Sequence, residues 1–274
     1  MPALPQGFFN RIVFLLQEYG ASFLRGAANT LIIALVSTAI GCVIGFIVGT
    51  LQTIPTNKKD GFFKRAGVWL LRLILNIYVE VFRGTPMMVQ AMFIYYGSAY
   101  LFGINMSPWF AALFIVSINT GAYMAETVRG GILSIDPGQT EGAKAIGMTH
   151  IQTMNSIILP QALRNIMPQI GNNLIINIKD TCVLSAISIV ELFFSAKTVA
   201  GTYYTYFESF TIVMVIYLAM TLFFSKLLRF IEGKMDGRDS FDLATTDTLA
   251  HTSGMTRYRK TSVNANSRAS EGTK

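Results

Sequence analysis

Charge is scarce in this chain. Only 14% of its residues are Asp, Glu, Lys or Arg, against 52% hydrophobic, and the mean hydropathy is +0.47. A soluble domain of this length needs far more surface charge, so the composition selects a multi-spanning membrane protein. Two cysteines, Cys42 and Cys182, both in apolar surroundings, exclude a disulfide framework and a metal cluster. Two histidines, His150 in a polar loop and His251 in the tail, supply no titratable cluster, so no catalytic residue and no metal site are expected. A phosphate loop is missing too. Gly142 and Gly147 have its glycine spacing, but Met148-Thr149 follow where Lys and Ser or Thr are required. The chain therefore holds no ATP or other cofactor of its own. Acids are few and no internal repeat is evident, which disfavours an ion-coupled secondary transporter or channel subunit, kept as the alternative reading. The first ten residues carry no basic patch and no small-residue cleavage site, so no removable leader is expected.

What charge there is has a pattern. The net +7 comes from Lys and Arg placed just beyond apolar runs, where they set topology rather than bind nucleic acid. Residues 8–24 mix apolar and polar positions at helical spacing, and residues 1–25 read as an N-terminal interfacial segment. Residues 26–57 carry no charge, and about 20 suffice to cross the hydrocarbon, which gives a first spanning helix over 28–52. Lys58, Lys59, Lys64 and Arg65 then mark the cytoplasmic side, so the N-terminus lies outside. A second helix begins near Val68 and breaks at Gly84-Thr85-Pro86, where Thr85 reads as an N-cap and Pro86 as the first residue of a restarted helix. Residues 84–125 are uncharged and too long for one crossing. Residues 103–108 turn the chain, and a third helix descends over 108–128 to Arg129. A short apolar segment at 183–196, a polar outer turn and a final helix over 210–224 complete five crossings within a 26–232 membrane domain. Residues 233–274, rich in Ser, Thr, Asn and charge, read as a disordered cytoplasmic tail. The fold class is all-α integral membrane.

The stretch 136–181 organises the rest. Residues 139–146 form a short helix of Ala and Gly with Gly147 as its stop, and Leu159-Pro160 mark the restart of a membrane helix. A cytoplasmic helix this short has no core of its own. It either docks on a partner or lies unpartnered on the surface. Farther on, Gln169, Asn173, Asn177 and Asp180 fall on one helical face. At 1.5 Å per residue from Arg164, Asn173 lies about 13 Å deeper, near the midplane. Groups there face protein or water. They serve either as interhelical hydrogen-bond glue or as a ligand surface. Lys179, Asp180 and Thr181 add two charges that are costly in lipid unless paired or used. Helix N-termini at Thr85 and Thr181 would offer backbone N–H groups to an anionic group, and Asp180 or Glu80 would receive a cationic one. Glu80 and Arg83, three apart, read as an ion pair with each other that holds the broken helix, while Glu126 and Arg129, also three apart, read as anchors of the third helix at the cytoplasmic edge.

The spacing Glu141-Gly142-Ala143, three residues, Gly147, nine residues, Ile157-x-Leu159-Pro160 resembles the cytoplasmic loop signature of ABC importer transmembrane subunits. The segments FRGTPMMVQ, AYMAETVRGGI, EGAKAIGMTHIQ, ILPQALRNIMPQIGN and IKDT resemble the polar amino-acid uptake subfamily. The resemblance implies a MetI-like fold with five transmembrane helices and a coupling helix at about 139–150. It assigns Glu141, Gly142, Ala143, Gly147, Leu159 and Pro160 to coupling with a separate ABC ATPase dimer. It implies a second permease subunit, identical or paralogous, an extracytoplasmic substrate-binding protein, and residence in a bacterial inner membrane with the C-terminus cytoplasmic. It further implies a polar amino-acid substrate met by Asn173, Asn177, Lys179, Asp180, Thr181, Glu80 and Thr85. The family commonly places an acid at the position of Asn173, so an uncharged Asn leans away from cationic substrates towards polar neutral or acidic ones.

Overall fold

A computed structural model describes residues 4–56 and 61–235, and no strand occurs among them. The helices are α1 Phe8–Gln52, α2 Phe62–Gly84, α3 Met87–Phe102, α4 Pro108–Leu133, α5 Pro137–Ala145, α6 His150–Thr153, α7 Leu159–Asp180, α8 Leu192–Tyr203 and α9 Tyr206–Met235. Three of these, α1, α4 and α9, are by themselves long and apolar enough to cross a membrane. The stretch His150–Ile187 with α8, bent by 53°, makes a fourth candidate. The fifth expected crossing corresponds to α2 and α3, interrupted between them, neither of which qualifies alone. The expected tail lies beyond the described residues from 236 onward.

No division separates an interfacial segment from the first crossing, because α1 is one helix of 45 residues. At 1.5 Å per residue it is about 68 Å long, over twice the hydrocarbon thickness. Nothing in 8–52 breaks it: there is no proline, and its N-terminal half has a partner. Leu15, Phe23 and Ala27 pack with Val199 and Tyr203 of α8 and Ile212 and Val213 of α9. Arg11 pairs with the buried Glu208 at 3.1 Å.

The C-terminal half of α1 lies against α4 at a distance only glycine permits. Gly41, Gly45 and Gly49 recur every four residues and form the small-residue stripe that draws helix backbones together in lipid. A Cβ on Gly45 would stand 2.3 Å from Cβ of Met124, and one on Gly41 would stand 2.6 Å from Cβ of Thr120. From α4, Gly131 admits Ile166 of α7 in the same way, with 2.4 Å to its Cγ2. Thus α4 sits at the centre, with α1 on one side, α7 on another, and α3 packed through Ala91 against Ala111, Ala112 and Ile115.

Candidate functional site

The loop after α4 is built by its caps. Asp136 accepts from the Gly138 amide at 2.8 Å and Pro137 takes the first position of α5, so the helix starts two residues earlier than the 139–146 expected. It stops at a Schellman turn. The Gly147 amide donates to the Lys144 carbonyl and the Met148 amide to the Ala143 carbonyl, both at 3.0 Å, with Gly147 at φ 82°. Only backbone conformation demands glycine here, since a Cβ would meet nothing within 4 Å. Thr149 and Gln152 then form a reciprocal capping box that opens α6. Glu141 and Gly142 are exposed and Ala143 is buried. Ile146 and Ile151, which flank the glycine stop, are 78% and 70% exposed. They are the loop residues that spacing alone does not mark.

Leu159-Pro160 does not restart a helix. The chain passes from α6 through a π turn, Met154–Ile158, directly into α7. Pro160 has no amide hydrogen and its ring crowds the carbonyl four residues back, and the wider turn accommodates both. Leu159 packs partly buried beside Ile158, Ala162 and Ile166 against Val128 and Ile132 of α4, while Pro160 is exposed.

On α7, the inner pair of the expected polar face is buried and the outer pair, Gln169 and Asp180, is exposed. Asn177 is 5% exposed and spends both amide hydrogens across helices, on Oγ1 of Thr38 at 2.7 Å and Oγ1 of Thr120 at 2.9 Å. Asn173, 6% exposed, donates to the Gln169 carbonyl at 3.0 Å and approaches Sδ of Met124 at 3.2 Å. Lys179 and Asp180 are exposed and form no ion pair among the described residues. Thr181 is fully buried and is no helix N-terminus. The chain continues as a 3₁₀ helix over Thr181–Ile187, and the Thr181 amide is already used on the Asn177 carbonyl.

The actual second break comes later. Ser188 takes φ 63° and Glu191 opens α8 as its N-cap. Fully buried, Glu191 accepts from the amides of Phe193 at 2.8 Å and Phe194 at 2.6 Å and from the Tyr217 hydroxyl at 3.0 Å. A carboxylate of the protein itself therefore fills this helix N-terminus. In sequence, one acid inside an apolar run is the signal for it.

At the first break the cap falls one residue later than expected. Pro86 is the N-cap, and Thr85 is held extended ahead of it, as the pre-proline position requires. Nε2 of Gln90 donates to the carbonyls of Phe82 at 3.0 Å and Thr85 at 2.9 Å and to Oγ1 of Thr85 at 2.7 Å. Oε1 of Gln90 accepts from Asn119 of α4 at 2.9 Å, and Asn119 also donates to the Phe82 carbonyl at 3.1 Å. Freed carbonyls at a break in lipid need such partners.

Arg83 does not pair with Glu80. It reaches Glu126 of α4 at 3.8 Å and lies over the Tyr123 ring at 5.7 Å, because α4 runs alongside. Glu126 also binds Arg129, as the spacing predicts. Glu80 lines a cleft of about 460 Å³ with Asn76, Arg83, Glu126 and Arg129. The candidate residues thus fall in three places: the loop, the buried side of α7, and the region of α2 beside α4. What joins the last two is α4. Its Asn119 serves the first break and its neighbour Thr120 serves Asn177. Asn119, Thr120 and Gln90 do not stand out in a reading guided by charge, whereas Glu191 is marked as the one acid in 183–196.

Comparison with known proteins follows this geometry. The family described as "Binding-protein-dependent transport system inner membrane component" matches residues 62–237. Over 213 residues the chain is 36% identical to the glutamine transport system permease protein GlnP of Escherichia coli strain K12, covering 77% of this chain and 92% of that protein. It is 34% identical over 216 residues to the arginine transport system permease protein ArtQ of Bacillus subtilis strain 168, covering 79% and 93%. A solved amino acid ABC transporter with histidines superposes with a TM-score of 0.71 at 34% identity, covering 84% of this chain and 99% of that one. The inward-facing MetNI methionine ABC transporter shares the fold, with a TM-score of 0.65 at 21% identity and coverage of 79% and 97%. A match through most of the helical bundle, with relatives aligned over nearly their whole length, places this chain in the family of binding-protein-dependent transport system inner membrane components, the permease subunits of ABC transporters.

Proposed function

We propose that the chain forms half of the translocation path of an ATP-driven importer of a polar amino acid, coupled to a separate ABC ATPase through residues 137–153. The observation that carries this reading is the pair Ile146 and Ile151. Two large aliphatic side chains left uncovered beside a rigidly capped loop, on a helix too short for its own core, are what a docking contact requires. The relatives support the amino-acid class, since their names specify glutamine and arginine transport. We take the loop end as cytoplasmic and the N-terminus as external, because Lys64 and Arg65 open α2 and Arg129 lies near the end of α4 ahead of the loop, where basic residues favour the cytoplasmic side. A second permease subunit and an external binding protein complete the path. Uncharged Asn173 in the buried face of α7 favours a polar neutral or acidic substrate over a cationic one.

Reconstitution with an ABC ATPase and a binding protein tests both parts. In Gly147→Val a β-branched residue must adopt φ 82°, which distorts the loop while touching nothing in the membrane. The variant should insert normally, lose ATP-driven uptake, and fail to stimulate ATP hydrolysis. Full uptake by Gly147→Val overturns the coupling role. Among radiolabelled substrates, glutamine or glutamate should compete more strongly than arginine or histidine, and the reverse order refutes the assignment of Asn173.

A further inference from the structure

Where α1 ends and α2 begins, the protein carries a second cavity, of about 430 Å³, lined by Thr56, Phe62, Arg65, Ala66, Trp69 and Arg72. Arg65, Trp69 and Arg72 stand four and three residues apart on α2 and share one face. Among the described residues, two guanidinium groups line the space and no carboxylate does. Arg72 is fixed in place, since its Nη2 donates to the Ile54 carbonyl, while its buried Nε has no acceptor. The Arg65 side chain is exposed and makes no hydrogen bond or ion pair among the described residues. The walls are aromatic and open: Phe62 is 80% exposed and Trp69 64%. Cationic forks of this kind select planar or tetrahedral oxyanions, phosphate above all. Aromatic side chains at the level where a spanning helix leaves the hydrocarbon pack against glycerol and the first acyl carbons.

We propose that this cavity binds the phosphodiester headgroup of an anionic phospholipid. The two arginines take the phosphate oxygens, and Phe62 and Trp69 take the adjoining apolar part of the same molecule. A soluble phosphate would use the arginines and leave the aromatic walls in water, so the walls assign the site to a lipid. Arg72 also lines the cleft that holds Glu80, so the two cavities adjoin, and the lipid assignment rests on the arginines and aromatic walls of the first alone.

The test uses the full-length protein in nanodiscs of phosphatidylglycerol and phosphatidylcholine, followed by native mass spectrometry of the lipid retained. Wild-type protein should retain phosphatidylglycerol in preference to phosphatidylcholine. Each basic residue near an anionic surface contributes on the order of fivefold in affinity, so Arg65→Gln should lower that preference about fivefold, and Arg65→Gln with Arg72→Gln about thirtyfold. The pair Lys226→Gln and Arg229→Gln, at the far end of α9, controls for diffuse attraction and should lower the preference clearly less than the arginine pair does. Because the Arg65 side chain is exposed, its single variant should keep the fold intact, which an unchanged unfolding midpoint verifies. Equal retention by the double arginine variant, or an equal loss in the α9 control, overturns the proposal. So does displacement of the lipid by inorganic phosphate beyond that produced by sodium chloride at the same ionic strength, which would assign the site to a soluble anion.

Discussion

Replacing Asn177 by Leu separates its two possible roles. The residue bridges three helices, with α7 donating to Thr38 of α1 and Thr120 of α4 at 2.7 and 2.9 Å. Interhelical hydrogen bonds between side chains in membranes average about 0.6 kcal/mol and reach about 1.7. Two of them place the loss between about 1 and 3 kcal/mol. The lower end is favoured, because each orphaned threonine hydroxyl can turn to the carbonyl four residues back in its own helix. Leu keeps most of the volume, so no large cavity term is added. The expected cost for Asn177→Leu is therefore about 1–2 kcal/mol, a five- to thirtyfold shift in the folding equilibrium. Thr120→Val should cost about 0.6 kcal/mol, and the double variant less than the sum of the two, with a coupling energy near that of the single bond they share. Unfolding in mixed detergent micelles measures all four proteins, and reconstituted uptake is read in parallel. If Asn177→Leu leaves the unfolding midpoint in place and abolishes uptake, the amide contacts substrate and the bridge is incidental. If the two substitutions are strictly additive, the hydrogen bond carries no energy.

Two further outcomes follow from the packing. In Gly45→Ala the new Cβ lies 2.3 Å from Cβ of Met124, both on rigid helices, so α1 and α4 must separate. The variant should lose roughly 1–3 kcal/mol, read as a lower thermal midpoint, and an unchanged midpoint would refute the close approach. Glu191→Ala removes the cap of α8 and the acceptor of the Tyr217 hydroxyl, costing about 2–4 kcal/mol, whereas Tyr217→Phe removes one hydrogen bond and should cost about 1. Equal losses in those two variants, by the same unfolding assay, would show that the cap contributes nothing.

The sequence announces a break where the backbone has no choice and hides it where side chains decide. Pro86 removes a donor and forces Thr85 extended, so the end of α2 is legible to within one residue. The break before α8 has no proline and no glycine. It depends on Ser188 accepting a left-handed conformation and on Glu191 finding Tyr217, two elements away in the chain, and no local pattern encodes that meeting. Charge-free runs give the apolar parts of α1, α4 and α9, because length and apolarity are properties of a segment alone, but not the continuation of α1 back to Phe8. Partners are not. Glu80 and Arg83 have the spacing of an ion pair on one helix, but α4 brings Glu126 within reach of Arg83. Asn173 and Asn177 are legible as one face by periodicity, yet whether that face is glue or ligand surface turns on Thr38, Thr120 and Met124, which lie on other helices. The glycine stripe at 41, 45 and 49 is the exception, a tertiary contact written in plain spacing, overlooked when charge alone guides the reading.

The same partners connect the loop to the membrane breaks. On the proposed function, α5 is tied to the bundle at both ends, to α4 through Ser134 to Asp136 and to α6 through Ile146 to Thr149, and neither connection has slack because each is capped by hydrogen bonds to its own backbone. A force on Ile146 and Ile151 therefore acts on α4 and α7 together. Those two helices carry between them Asn119, which holds the break between α2 and α3, and the Asn177–Thr120 bridge. A lever made of one capped helix needs no hinge of its own in this arrangement, since the two interrupted segments supply the compliance, and α4, the most enclosed of the three helices that qualify alone as spans, supplies the stiffness.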